Sequence, residues 1–147
     1  MYQTFTYSPL DRVYYDGKTK DILPKELELM DIDRLFIVSS STISKKTDEI
    51  DKIRDILGKK FVGIFDSCEE HSPLENVVEC AKKIKSTRPD MILTVGGGTP
   101  IDTVKVSQLC LTLGIFSSAE LKKISGKKFF PPNPSMNISK LRKILKK

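Results

Sequence analysis

The sequence has a single histidine, His71, and three cysteines, Cys68, Cys80 and Cys110, none of them in Cys-x-x-Cys spacing. An odd set without paired spacing argues against a disulfide framework, and a reduced, cytoplasmic setting fits it best. No apolar run approaches the roughly 18 residues of a membrane span, so no membrane partner is expected. The opening residues, Met-Tyr-Gln-Thr-Phe-Thr-Tyr, hold neither a basic segment nor a long apolar one, so no signal peptide is expected. Acidic residues are missing altogether from residues 121–147, which carry nine Lys or Arg.

That last absence changes the meaning of the formal net charge of +6. Residues 1–120 hold 16 basic and 19 acidic groups, a net of −3, so the basic character belongs to the tail alone. Nucleic acid is therefore disfavoured as a partner of the body. With 39% hydrophobic and 30% charged residues, the 147-residue chain reads as one soluble domain. A chain of this size buries roughly two-thirds of its unfolded surface. The expected boundaries are an α/β domain over residues 1–116 and an irregular basic tail over residues 117–147. Within the tail, Ser118 can cap a short helix, and residues 139–147 can form a basic amphipathic one.

The body alternates strand and helix. Residues 5–15 predict a short N-terminal β-hairpin around Ser8-Pro9. Leu23, Leu27 and Met30 repeat at helical spacing, with Pro24 tolerable in a first turn. Residues 34–38, 60–65 and 91–95 are apolar and strand-like. Each is followed by a helix pattern: Ile50, Ile53, Ile56 and Leu57 before Gly58; Val77, Cys80, Ala81 and Ile84; and Ile101, Val104 and Leu111 before Gly114. Three β-α units predict a Rossmann-like parallel sheet with right-handed crossovers and helices on both faces. In such sheets ligands sit beyond the carboxyl ends of the strands. Here those ends are residues 39–42, 66–71 and 96–99, which should face one crevice.

The most informative stretch is residues 91–105, Met-Ile-Leu-Thr-Val-Gly-Gly-Gly-Thr-Pro-Ile-Asp-Thr-Val-Lys. A buried strand meets three side-chain-free residues and then a helix start. Thr99 is expected as N-cap, Pro100 at the first helical position and Asp102 closing a capping box. Ser72-Pro73-Leu74-Glu75 repeats that arrangement before the preceding helix. Without a Cβ at Gly96, Gly97 and Gly98, a phosphate can approach free N–H groups at the positive end of the helix dipole. A tight turn that needs glycine for packing alone is the competing reading. Asp102 is either a capping acid or a ligand-orienting group. Lys105 either approaches phosphate or pairs with Asp102. His71 reads first as a solvated loop residue, and the three cysteines as small apolar ones.

The run from Gly96 to Lys105 resembles the Gly-Gly-Gly-Ser-x-x-Asp-x-Ala-Lys signature of iron-containing (type III) alcohol dehydrogenases. Thr99 keeps the hydroxyl of the signature serine. Phe5-x-Tyr7, Arg12-Val13-x-Tyr15 and Leu23-Pro24 look most like the maleylacetate reductase branch, and His71-Ser72-Pro73 is compatible with it. The resemblance implies the dinucleotide-binding portion of an NAD(P)-dependent, metal-assisted oxidoreductase acting on alcohol, carbonyl or 2-enoate groups. Gly97, Gly98 and Thr99 would hold the pyrophosphate of NAD or NADP, beside Gly96, Asp102 and Lys105. Ser40 stands where many members carry an acid for the adenosine ribose. A serine neither pairs strongly with a 2′-hydroxyl nor repels a 2′-phosphate, which predicts relaxed or NADPH-leaning selectivity, with Lys45 or Lys46 as phosphate partners.

The family also carries a helical domain in which an aspartate and three histidines bind iron or zinc. One histidine cannot supply three, so the C-terminal metal domain is expected to be absent, no metal to bind this chain, and no catalytic residue to be assigned. The chain would then be truncated and without turnover alone, with a complementing C-terminal domain or self-association as its protein contacts. Two other functions stay open: a stand-alone nucleotide-binding or interaction module, and a binder of anionic partners through the basic tail. Deleting residues 126–147 separates the last. Nucleotide affinity should be unchanged in the shortened chain, whereas any salt-sensitive binding to polyanions should vanish; loss of nucleotide binding would show that the tail is part of the site.

Overall fold

Leu35, Phe36, Ile37 and Val38 are all buried, with 0–1% of their surface exposed, and they open the middle strand of the sheet. A strand covered on both faces by helices is apolar at consecutive rather than alternate positions, which is why this run reads Leu-Phe-Ile-Val. The structure is a computed structural model and describes residues 12–124. Its strands are β1 (Leu35–Ser40), β2 (Phe61–Cys68) and β3 (Met91–Val95), parallel and in the order β2-β1-β3. Leu35 stands beside both Phe61 and Met91, so β1 is paired along both edges.

Side chains alternate across β1 and create two cores. Leu35 and Ile37 pack with Leu23 and Leu27 of α1 (Thr19–Leu29) and with Ile50, Ile53 and Leu57 of α3 (Glu49–Leu57). Phe36 and Val38 pack on the other face with Phe65, with Cys80 and Ile84 of α4 (Leu74–Thr87), and with Val104 of α5 (Gly98–Leu113). Helices thus cover both faces, as expected. No helix among the described residues is long and apolar enough to cross a membrane.

Several local expectations are corrected. Residues 12–15 are irregular rather than a hairpin arm, and the rest of that hairpin lies outside the described residues. Helix α1 starts at Thr19, so Pro24 lies inside it rather than in its first turn. Its missing N–H leaves a carbonyl one turn back without its helical donor, a loss that packing of Leu23 and Leu27 offsets. Residues 41–46 show no apolar repeat, yet Ser41–Lys46 is a short helix, α2, because the Ser40 side chain accepts from the Ile43 N–H at its N-cap. Strand β2 continues three residues beyond the expected end, to Cys68. Helix α6 (Ser118–Ile124) carries Leu121 into a third core with Val77, Val78, Ala81 and Cys110, so the first part of the segment assigned to the tail packs on the domain. The expected helix over residues 139–147 lies outside the described residues.

The amino end of the sheet is closed by polar contacts. The Asp90 carboxylate accepts from the N–H groups of Asp33 and Arg34 at 3.2 and 3.1 Å. The Arg34 guanidinium donates to the Arg88 carbonyl at the end of α4. These contacts set the register of β3 against β1 far from the carboxyl tips.

Gly63 in β2 shows how tightly the second core is filled. A Cβ there would lie 2.9 Å from the Phe36 ring and 3.2 Å from Thr87 Cγ2. Gly63→Ala is expected to lower the unfolding free energy by about 1–3 kcal/mol through overpacking. Urea denaturation measures it, and an unchanged midpoint would mean that the ring has room to move.

Candidate functional site

Adjacent strands β1 and β3 send their following helices to opposite faces. Strand β1 leads into α2 and α3 on the face of Ile37, while β3 leads into α5 on the face of Val38. The crevice at such a switch point is where open α/β sheets bind ligands. A cleft of about 570 Å³ opens there. Its lining comes from all three strand tips: Ser40, Ser41 and Thr42 after β1; Cys68, Glu69 and Glu70 after β2; Gly97, Gly98, Thr99 and Pro100 after β3.

The three glycines do different jobs. Gly96 has φ +131°, and a Cβ on it would lie 3.1 Å from Pro100 Cγ and 3.8 Å from Ser40 Oγ, so both conformation and packing require glycine. Among the described residues, a Cβ on Gly97 or Gly98 would meet nothing within 4 Å, and neither has a positive φ. Packing among those residues therefore does not account for these two. Their bare backbone borders the open cleft.

Helix α5 begins at Gly98 with Gly97 as N-cap, which corrects the expected cap at Thr99. The turn at Gly96 swings the chain into the helical direction two residues early. Thr99 is then already helical, and Asp102 is too far inside to close a capping box. The first N–H groups of a helix have no partner one turn back. Pro100 has no N–H at all, so the Gly98 and Thr99 amides are the free donors nearest the cleft. Ser72 also fails to cap: α4 starts at Leu74 after Pro73. The Thr103 hydroxyl donates to the Thr99 carbonyl at 2.9 Å, which leaves it to accept from Ser72 Oγ at 3.1 Å. This chain of hydroxyls ties the approach to α4 to the first turn of α5.

Of the sequence-predicted site residues, Ser40, Gly97, Gly98 and Thr99 line the cleft together, whereas Gly96 is not in the lining and lies next to Pro100, Ile43 and Ser40. Asp102 and Lys105 lie outside the lining, exposed and paired with each other at 3.7 Å. Lys45 and Lys46, at the far end of α2, and His71, with φ +61° before α4, are not in the lining either. Glu69 and Glu70, within the strand end 66–71 that the sequence places at the crevice, add two carboxylates to the lining, a pair of consecutive acids that the sequence shows. Asn76 was missed. It is buried in α4, donates to the Ser67 carbonyl at 2.8 Å and to Glu69 Oε1 at 3.3 Å, and accepts from the Glu69 N–H. This side chain braces the loop after β2, together with the Ser72 N–H, which donates to the Glu69 carbonyl at 3.1 Å. Burial raises the thiols of Cys68 and Cys110 and pushes Cys80 up to about 12, so all three are neutral, unreactive groups at pH 7.

A family model described as iron-containing alcohol dehydrogenase matches residues 11–138. The chain belongs to the iron-containing alcohol dehydrogenase family. A dehydrogenase of Alternaria alternata is 39% identical to it over 77 residues, which is 52% of this chain and 20% of that protein. A dehydrogenase of Gibberella moniliformis is 31% identical over 77 residues, 52% of this chain and 18% of the relative. Maleylacetate reductase 1 of Rhodococcus opacus is 23% identical over 101 residues, 69% of this chain and 27% of the relative. The chain thus spans between 18% and 27% of the length of these relatives. Among solved structures, a putative alcohol dehydrogenase of Ralstonia eutropha superposes with TM-score 0.60 at 22% identity, over 73% of this chain and 30% of its own. A maleylacetate reductase of Agrobacterium tumefaciens does so with TM-score 0.59 at 19% identity, over the same shares. Maleylacetate reductases are therefore among both its sequence relatives and its structural neighbours.

The family name raises the question of a metal. Among the described residues no three His, Cys, Asp or Glu side chains gather into a set that could hold one. No metal-dependent step is assigned to them.

The unequal glycines can be separated by stability. Gly96→Ala should cost about 1–2 kcal/mol through left-handed strain. Gly98→Ala should leave stability unchanged or raise it by up to about 1 kcal/mol, since alanine favours the helix. Thermal unfolding of both variants checks this, and equal losses would mean that Gly98 is a packing residue too.

Proposed function

We propose that this domain is the dinucleotide-binding portion of an NAD(P)-dependent oxidoreductase, with the cofactor pyrophosphate seated at the start of α5. The observation that carries the reading is the bare backbone of Gly97 and Gly98 at the switch-point cleft, where packing among the described residues gives no reason for glycine. The Gly98 and Thr99 amides would donate to pyrophosphate oxygens, and the 16-residue helix behind them adds its dipole. Ser40 would offer its hydroxyl from the tip of β1. Gly96 and the Thr103–Ser72 pair would hold the turn in position without touching the ligand. When bound, the nicotinamide supplies hydride transfer with an alcohol, carbonyl or 2-enoate group, in keeping with the family. The 147 residues include one histidine. They cannot by themselves assemble three imidazoles around iron or zinc, so turnover would need residues beyond this set.

Fluorescence titration with reduced cofactor tests the reading. The chain is expected to bind NADH or NADPH with Kd below about 1 mM, or about 4 kcal/mol. Gly98→Ala should weaken that binding about tenfold or more, equivalent to about 1.4 kcal/mol, while the fold stays intact. Added iron or zinc should leave turnover absent. Failure of NADH, NADPH and ADP-ribose alike to bind would end the proposal.

A further inference from the structure

We infer that the cleft selects an unphosphorylated adenosine ribose, with the Glu69 and Glu70 carboxylates admitting the 2′-hydroxyl of NAD(H) and rejecting the 2′-phosphate of NADP(H). This inference rests on the dinucleotide reading above and adds to it which cofactor is taken and which residues choose. The starting point is the division of the cleft among three strand tips. Bare amides stand at the tip of β3, a neutral hydroxyl from Ser40 at β1, and two acids at β2.

Neighbouring strands lie about 4.8 Å apart, so the tips of β2 and β3 are about 10 Å apart across β1. A pyrophosphate seated on the Gly98 and Thr99 amides leaves the adenosine ribose to run along the tips towards β2. The acids then stand away from the diphosphate and beside the ribose. A ribose carries vicinal hydroxyls, which donate to carboxylates and form charge-assisted hydrogen bonds. A 2′-phosphate carries only acceptors and negative charge there, and like charges brought together suppress the wrong partner.

Among the described residues the lining holds no Lys or Arg that could offset that repulsion. Glu69 cannot easily swing clear, because buried Asn76 holds both its N–H and its Oε1 at 3.3 Å. Its other carboxylate oxygen stays available to a ligand. The selectivity inferred from Ser40 alone, relaxed or leaning to NADPH, is thereby reversed: the charge missing at the tip of β1 is supplied one strand over.

The test is a pair of fluorescence titrations, NADH and NADPH, on the full 147-residue chain and on Glu70→Gln, Glu69→Gln and the double variant. The unmodified chain should bind NADH at least about tenfold more tightly than NADPH. The double variant should bring the two within about threefold, chiefly by tightening NADPH, and raising salt should narrow the gap in the unmodified chain by screening. Exposed Glu70→Gln alone should move the ratio in the same direction, so the test survives any loosening of the loop in the Glu69 variants. Equal affinities in the unmodified chain, a preference for NADPH, or a ratio untouched by the double variant would each overturn the selectivity while leaving dinucleotide binding in place. Binding of neither cofactor would instead remove the dinucleotide reading and this inference with it.

Discussion

Two neighbouring parallel strands that send their helices to opposite faces must part at their tips, and the candidate site exists because β1 and β3 do this. The constraint follows from β1 lying in the middle. Its buried residues Leu35 and Ile37 require cover on one face, and Phe36 and Val38 require it on the other. Each such side chain contributes roughly 1.5–3 kcal/mol when fully buried, so neither face can be left bare. The helix after β1 covers one face and the helix after β3 covers the other. The opening between them is a consequence of satisfying both cores.

Holding the opening in shape falls to a few polar side chains rather than to the apolar cores. Thr103, Ser72 and the Thr99 carbonyl link the start of α5 to the approach of α4, and Ser107 Oγ donates to the Val77 carbonyl one turn further on. Thr103 and Ser107 are fully buried, and their small size lets α4 and α5 approach closely. Asn76 performs the same service for the loop after β2. At the opposite end of the sheet, Asp90 and Arg34 fasten β3 to β1. The cleft is thus built on strands whose relative height is set at both ends.

Membership of the iron-containing alcohol dehydrogenase family agrees with this geometry but covers only part of what such proteins contain. The matched relatives are several times longer than this chain. The glycine turn, the helix behind it and the acidic rim are properties of the described residues themselves. By formal charge, residues 1–120 are slightly acidic and residues 121–147 are cationic.

Much of the architecture was legible in sequence. Three apolar runs, each followed by a helical repeat, specified three β-α units, and Gly58 and Gly114, with φ of +51° and +69°, mark helix ends where they were expected. Local chemistry misled where two local signals competed. Thr99, Pro100 and Asp102 match a capping box in spacing, but the strain-free turn at Gly96 started the helix earlier. Ser-Thr-Ile-Ser-Lys-Lys carries no apolar repeat, yet it is helical because Ser40 caps it. By itself, then, the sequence determined the order of elements and the bare turn after β3, since both depend on residues close together along the chain. Only the tertiary structure decided that β1 stands between β2 and β3, which residues of the three strand ends line the cleft, and that Asp102 and Lys105 do not. Adjacency of strand tips is a non-local outcome of covering two faces of one sheet, and no local periodicity encodes it.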